Sequence, residues 1–326
     1  MTDWTALPKV ELHLHLEGAA PPGFIRTLAA EKGVDLSRLF DGTGAYAWRD
    51  FADFLRVYEA ASSVLVTPDD FRRLVAAVLA RSAAQGVIYA ELFLAPDLCA
   101  GGDPGAWPDF VAAMAEGAAA VPQVETRFIP TAIRHFGPAR AEAAARTAVA
   151  APHPLVTGFG MGGEERFGAP ADYARAFAVA GEAGLGLTVH AGEMLGPSSV
   201  RAALDALPVT RIGHGVRAVE DAALVARLAA EGVTLEVAAG SNLALGLYPD
   251  WAAHPVASLR AAGVAVTLST DDPPYFHTDL PREYAALAAA FGWTAADFAA
   301  INRAALEAAF CDAATRARLS ANLETA

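Results

Sequence analysis

Lysine is almost missing from this chain. Among 326 residues it occurs only at Lys9 and Lys32, and the remaining fixed cations are arginines. Cysteine is scarcer than a disulfide scaffold needs. Cys99 and Cys311 stand far apart in no metal-like spacing, which reads as two reduced thiols in a cytoplasmic protein. Positive charge is in short supply as well. A net charge of −13 is a poor match for nucleic acid or an anionic membrane, so neither is expected as a partner. No apolar run is long enough to span a bilayer: the most apolar stretch, Leu74 to Pro96, is broken by Arg81, Gln85 and Glu91. The opening residues MTDWTALPKVELH lack the basic and apolar regions of a signal peptide. There is no Gly-x-Gly-x-x-Gly after the first strand candidate, no phosphate loop, no internal repeat and no low-complexity linker.

What is present is a large apolar fraction, 54%, distributed in a regular rhythm. Short apolar runs alternate with longer alanine-rich segments of helical period. Strands are expected at 10–16, 87–94, 126–133, 155–159, 185–190, 211–214, 233–237 and 264–270, with helices between them. Gly86, Gly184, Gly232 and Gly263 mark ends of helices just before strands. Eight βα units imply a parallel sheet closed into a (β/α)8 TIM barrel, with extra helices after strand one and two more at the C-terminus. One hydrolase-type barrel domain over residues 1–326 is expected, in preference to an open doubly wound sheet.

The unusual polar residues fall at the expected C-terminal ends of strands, where barrels carry their chemistry. VELHLHLEG places His13 and His15 on one face of strand one, because side chains alternate with period two. HAGE ends strand five with His190 and Glu193, RIGHG ends strand six with His214, and STDDP follows strand eight with Asp271 and Asp272. A single such histidine is more often a hydrogen-bonded structural residue, and a TDDP is more often a turn and helix cap. Their shared placement at one rim favours a metal. His13, His15, His190 and Asp271 make a nitrogen-rich set that suits Zn2+ with an open position for water. Related barrel hydrolases bridge two metals with a carboxylated lysine after strand four. Here that region is GFGMGGEE, and no lysine follows Lys32, so one metal per chain is expected. Glu193 can then deliver a proton, His214 can orient the attacking oxygen, and Asp272 can contact the substrate. Gly162–Gly163 would let the backbone approach a flat ligand. The constellation suits hydrolytic attack on an electron-poor sp2 carbon.

These segments, KVELHLHLEG, GFGMGGEE, HAGE, RIGHG, SN and STDDP, resemble the adenosine deaminase family of the amidohydrolase superfamily, in the family's order and over nearly the whole chain. The resemblance implies a zinc site at His13, His15, His190 and Asp271. It implies Glu193 as proton donor to the purine ring and His214 as the residue holding hydroxide. Asp271 is counted with Glu193 and His214 among the catalytic groups. His15, Glu17, Gly163 and Asp272 are counted among those facing the substrate, Asp272 and the Gly163 N–H on ring nitrogens and Glu17 near the sugar. Three departures from the family's usual pattern stand out: Ala238-Ala239-Gly240 before SN, Gly160 at strand four, and Glu17 where adenosine-specific members carry Asp. Glu17 points to free adenine, whereas Gly162-Gly163-Glu164 and RIGHG resemble the nucleoside branch. The two segments are weighted above the one side chain, so adenosine and deoxyadenosine are expected as substrates. Adenine, N6-substituted adenine and aminodeoxyfutalosine are the alternatives within the family. Amide, lactone or phosphoester hydrolysis, and a non-catalytic purine-binding barrel, are the alternatives outside this chemistry.

Overall fold

A computed structural model describes residues 3–324. Eight strands carry the architecture: β1 (Lys9–His15), β2 (Val87–Leu94), β3 (Glu125–Ile133), β4 (Gly158–Gly162), β5 (Gly186–Ala191), β6 (Arg211–His214), β7 (Thr234–Val237) and β8 (Ala265–Leu268). They are hydrogen-bonded in chain order, and every adjacent pair is parallel. The ring meets itself just past β8, where the His15 amide donates to the Asp271 carbonyl at 3.0 Å and the Asp271 amide to the His13 carbonyl at 3.1 Å. The fold is the expected (β/α)8 barrel, and its seam lies at the residues singled out for metal chemistry.

Local chemistry explains the element boundaries. Thr67 opens the helix Pro68–Ala84 with a capping box, its hydroxyl taking the Asp70 amide while the Asp70 carboxylate takes the Thr67 amide. Gly232 ends the helix Ala222–Glu231 in the left-handed conformation and turns the chain into β7. The first βα connection contains the expected extra helices, including Phe51–Ser62, which lies over the barrel mouth. The C-terminal extension is longer than the expected two helices: a short turn Pro273–Phe276 is followed by Leu280–Phe291, Ala295–Ala308 and Ala313–Glu324. Asn302 of this extension accepts the Val10 amide at 2.9 Å and so fastens it to β1.

Strand four is displaced from its expected position at 155–159. The apolar Leu155 and Val156 make only a bridge beside Phe128, and the strand proper is the glycine-rich GFGMG, buried throughout. Glycine is depleted in strands except where something approaches closely. That is the case here. A Cβ on Gly158 would lie 2.7 Å from both Ile129 and Phe310, and one on Gly162 would lie 3.0 Å from the His190 ring.

The opposite end of the barrel is closed by charge and one aromatic ring. Arg211 lies 2.6 Å from both Glu91 and Glu236 and stacks 3.6 Å from the Phe310 ring centre. Lys9 spends its ammonium on the carbonyls of Leu7 at 2.6 Å, Gln85 at 2.7 Å and Trp4. The second lysine, Lys32, pairs with Asp70. Among the described residues no helix is long and apolar enough to cross a membrane.

Candidate active site

β1 turns both of its histidines to one side, as period two requires, with their ring centres 5.3 Å apart. β5 brings His190 to the same point, its Nε2 lying 3.2 Å from His15 Nε2. The end of β6 adds His214, and the residue after the β8 loop adds Asp271, whose Oδ1 lies 3.4 Å from His13 Nε2 and 3.3 Å from His15 Nε2. His214 and Asp271 hold backbone φ of 59° and 65°, the left-handed region that side-chain-bearing residues rarely occupy. The barrel seam and the neighbouring strands impose these conformations, and both side chains face the centre as a result.

The donor atoms of His13, His190, His214 and Asp271 lie within 4.8 Å of one another, and Asp271 also groups with His15 and Asp272. His13 Nε2 is buried with no hydrogen-bond partner. Burial works against a proton on His13, yet the carboxylates of Asp271 and Glu236 beside it lift the ring to about 9. The centre therefore calls for positive charge between these atoms, which a divalent cation supplies. The donor set of imidazoles and one carboxylate fits zinc.

Hydrogen bonds behind the cluster separate ligands from donors. Glu236 accepts from His13 Nδ1 at 2.7 Å and is itself held by Thr188 at 2.8 Å, so the Nε2 lone pair of His13 faces the centre. Ser241 holds Asp271 Oδ2 at 2.7 Å and leaves Oδ1 for the cluster. The chain behind His214 runs the other way. The Val256 amide donates to His254 Nδ1, so His254 Nε2 donates to the Asn242 oxygen at 3.0 Å. The Asn242 amide then donates to His214 Nδ1 at 3.4 Å. That leaves the proton of His214 on Nε2, directed toward Glu193 Oε1 at 3.6 Å. His214 is thus close enough to be grouped with the ligands but carries the wrong tautomer for one. The sequence signal for SN was present, whereas Glu236 and His254 stand in no motif and were not anticipated.

The neighbouring carboxyls are driven apart. Burial raises Asp271, but the His13 ring against it and the other surrounding imidazoles hold it well below the ordinary carboxylate range. Burial and the adjacent Asp271 charge push Asp272 well above it, and burial with the Asp271 and Glu165 charges does the same for Glu193. Burial also lowers His15 to about 4, His214 to about 3 and His190 well below the usual imidazole value, so these rings stay neutral. Asp272 Oδ1 is buried without a partner and lies against Gly18, where an added Cβ would sit 1.5 Å from it.

All the expected substrate-facing residues, His15, Glu17, Gly163 and Asp272, line one pocket with His190, Glu193, His214 and Asp271. Phe51, Phe54, Leu55 and Tyr58 of the overlying helix supply an apolar wall, and Leu98, Leu245 and Phe276 continue it. Glu17 is 2% exposed and raised to about 7 by burial. It accepts the Ala95 amide at 3.1 Å and lies 3.4 Å from the Tyr58 hydroxyl. At the mouth His135 Nε2 lies 3.3 Å from Glu59, joining the β3 loop to the overlying helix. Gly162 lines the pocket beside Gly163, and its missing Cβ also makes room for the His190 ring.

Comparison with known proteins agrees with this geometry. The family model described as adenosine deaminase matches residues 8–326. An adenine deaminase of Agrobacterium fabrum is 51% identical over 321 residues, covering 97% of this chain and 98% of that protein. An adenine deaminase of Chelativorans is 50% identical, covering 98% of each chain. The crystal structure of an adenine deaminase from Arthrobacter aurescens superposes with a TM-score of 0.88 at 30% identity, covering 98% of this chain and 99% of the other. An amidohydrolase from Burkholderia ambifaria with bound zinc gives the same TM-score and identity, covering 99% and 91%. By its motifs, its barrel and its convergent histidines, the chain belongs to the adenosine deaminase family of amidohydrolase-type deaminases.

Proposed function

We propose that the protein is a zinc-dependent hydrolase that removes the 6-amino group of free adenine, giving hypoxanthine and ammonia. This replaces the expectation of adenosine. Relatives near 50% identity are named adenine deaminases, and the observation that carries the choice is the environment of Glu17. Its carboxylate is buried under Tyr58 and the Phe51–Ser62 helix, in the space a sugar would need. A free base has a ring N–H at the position that a nucleoside blocks with ribose, and a buried acceptor there favours the base. A nucleoside offers that carboxylate no ring N–H and sets its sugar against a buried acceptor, which is a costly mismatch. The segments that pointed to nucleosides have another explanation. Gly213 of RIGHG packs beneath the cluster, where a Cβ would lie 2.9 Å from His13 and 3.1 Å from His190, so it reports on imidazole packing rather than on the sugar.

His13, His15, His190 and Asp271 would hold one zinc ion, whose chemistry is to bring the pKa of a water from ~15.7 to ~7. Glu193, protonated by its surroundings, gives its proton to the ring nitrogen beside the reacting carbon. His214 directs its Nε2–H at the incoming oxygen and holds it in line. Asp272 meets a ring nitrogen on the imidazole side, and the Gly163 N–H meets one on the pyrimidine side. The apolar wall excludes bulk water from the base.

Two measurements test this. The kcat/KM for adenine should exceed that for adenosine by at least about 100-fold. Equal values, or a preference for the nucleoside, would overturn the substrate assignment. Elemental analysis should give about one zinc per chain, since no lysine is available to bridge a second metal. A ratio near two with activity following the second ion would overturn the mononuclear assignment.

A further inference from the structure

Glu165 touches no reacting group and enters the chemistry above only as a charge that helps raise Glu193, yet it is 1% exposed and fully engaged. Its Oε1 accepts the Gly192 amide at 2.6 Å and the Ser199 hydroxyl at 2.5 Å, and its Oε2 accepts the amides of Met194 at 2.7 Å and Leu195 at 2.8 Å. All four donors lie between β5 and the first turn of the helix Pro197–Ala206. That segment carries Glu193. The amides on both sides of Glu193 are therefore gathered by one carboxylate, while the Glu193 side chain lines the substrate pocket. The segment has little room for another shape, because Gly192 holds φ of +72° and a Cβ there would meet Val200 at 2.4 Å. Arg134, 2% exposed, supports the same turn by donating to the His190 carbonyl at 3.3 Å.

We propose that Glu165 is a positioning residue that sets Glu193 for proton delivery. This rests on Glu193 being the acid in the deamination proposed above. A buried carboxylate accepting four hydrogen bonds is a rigid anchor. A glutamine at 165 keeps the shape but offers one acceptor oxygen and turns an NH2 toward amide donors. The turn then loosens, and small displacements of a catalytic group are expensive in rate. Anchorage of the helix alone would affect stability and leave the chemical step intact.

The test is a cycle of Glu165→Gln and Glu193→Gln, assayed on adenine. Glu165→Gln should lower kcat by roughly 10–100-fold with KM within about threefold and zinc content at the wild-type level. Backbone amide exchange should quicken at least about tenfold at 192–195 and nowhere else. In the Glu193→Gln background the same substitution should cost nothing further, because the group it positions is gone. An unchanged kcat, an equal loss in both backgrounds, or a joint loss of zinc and rate would overturn the proposal. Should Glu165→Gln fail to fold, Ser199→Ala enters the same cycle. It should cost about three- to tenfold with Glu193 present and nothing without it, and an equal cost in both would overturn the proposal. If the wild type does not turn over adenine, only the substrate assignment fails, and the cycle is run on the 6-aminopurine that it does deaminate.

Discussion

Asp271 and Asp272 are chain neighbours with opposite electrostatic fates, and the difference is one of company. Asp271 faces imidazoles and stays ionised, whereas Asp272 faces Asp271 and takes up a proton more readily. Glu193 shares the second fate and is kept in the form that can donate. The plain alternative for Glu193 is a helix cap, but the helix at Pro197 begins at Gly196 with no side-chain cap. Glu193→Gln should therefore keep its zinc and its thermal stability while losing ~10²–10⁴-fold in kcat. Steady-state kinetics beside metal analysis checks this, and a loss below about tenfold would remove Glu193 from the acid role.

Strands are positioned by what they allow beside them. β6 carries Gly213 against the rings of His13 and His190, so Gly213→Ala must push on two ligand candidates at once. It should weaken zinc retention and lower kcat/KM by about tenfold or more, with dialysis against a chelator as the readout. Gly232 supplies the contrast at a helix end. Its φ is +68° but nothing lies near its missing Cβ, so Gly232→Ala should cost about 1–2 kcal/mol of stability and leave kcat unchanged. Equal effects of the two substitutions on zinc retention would contradict this division between a site glycine and a cap glycine.

The molecule as a whole carries further buried acids that lie outside the lining of the substrate pocket. Glu11 accepts the Thr270 amide and hydroxyl at the seam and is raised by burial to about 7. Glu283 accepts the Gly240 amide at 3.1 Å and the Thr278 hydroxyl at 2.7 Å and is raised by burial to about 8. A carboxyl with a higher pKa folded than unfolded holds more protons in the folded state between the two values. Its stabilising effect is complete below the unfolded value near 4.5 and is lost as pH rises toward about 8. Glu283→Gln should flatten this dependence by up to about 1 kcal/mol per pH unit. Melting temperatures of wild type and variant between pH 5 and 8 measure it. Parallel curves would show that Glu283 is ionised throughout.

The barrel was legible in the chain because βα alternation is a local pattern, and each strand's run of apolar residues records burial on both faces. The ligand candidates were legible because strand ends of a parallel barrel share one rim, so His13, His15, His190 and Asp271 could be brought together without coordinates. β4 was misplaced because its glycines answer to side chains from neighbouring strands and the C-terminal extension, a demand that no window of sequence contains. The same holds for substrate choice. RIGHG looked like a mark of the nucleoside branch, but the packing of Gly213 against imidazoles is set by β1 and β5. The sequence by itself determined the barrel, the donor types and the deaminase-like chemistry. Only the tertiary structure decided which nitrogen of His214 bears the proton, which carboxyls are raised and which lowered, and that Glu165 and Glu236 stand behind the site. Those properties depend on partners hundreds of residues apart in places, such as Glu236 on His13, and on burial that arises only once the ring of strands is closed.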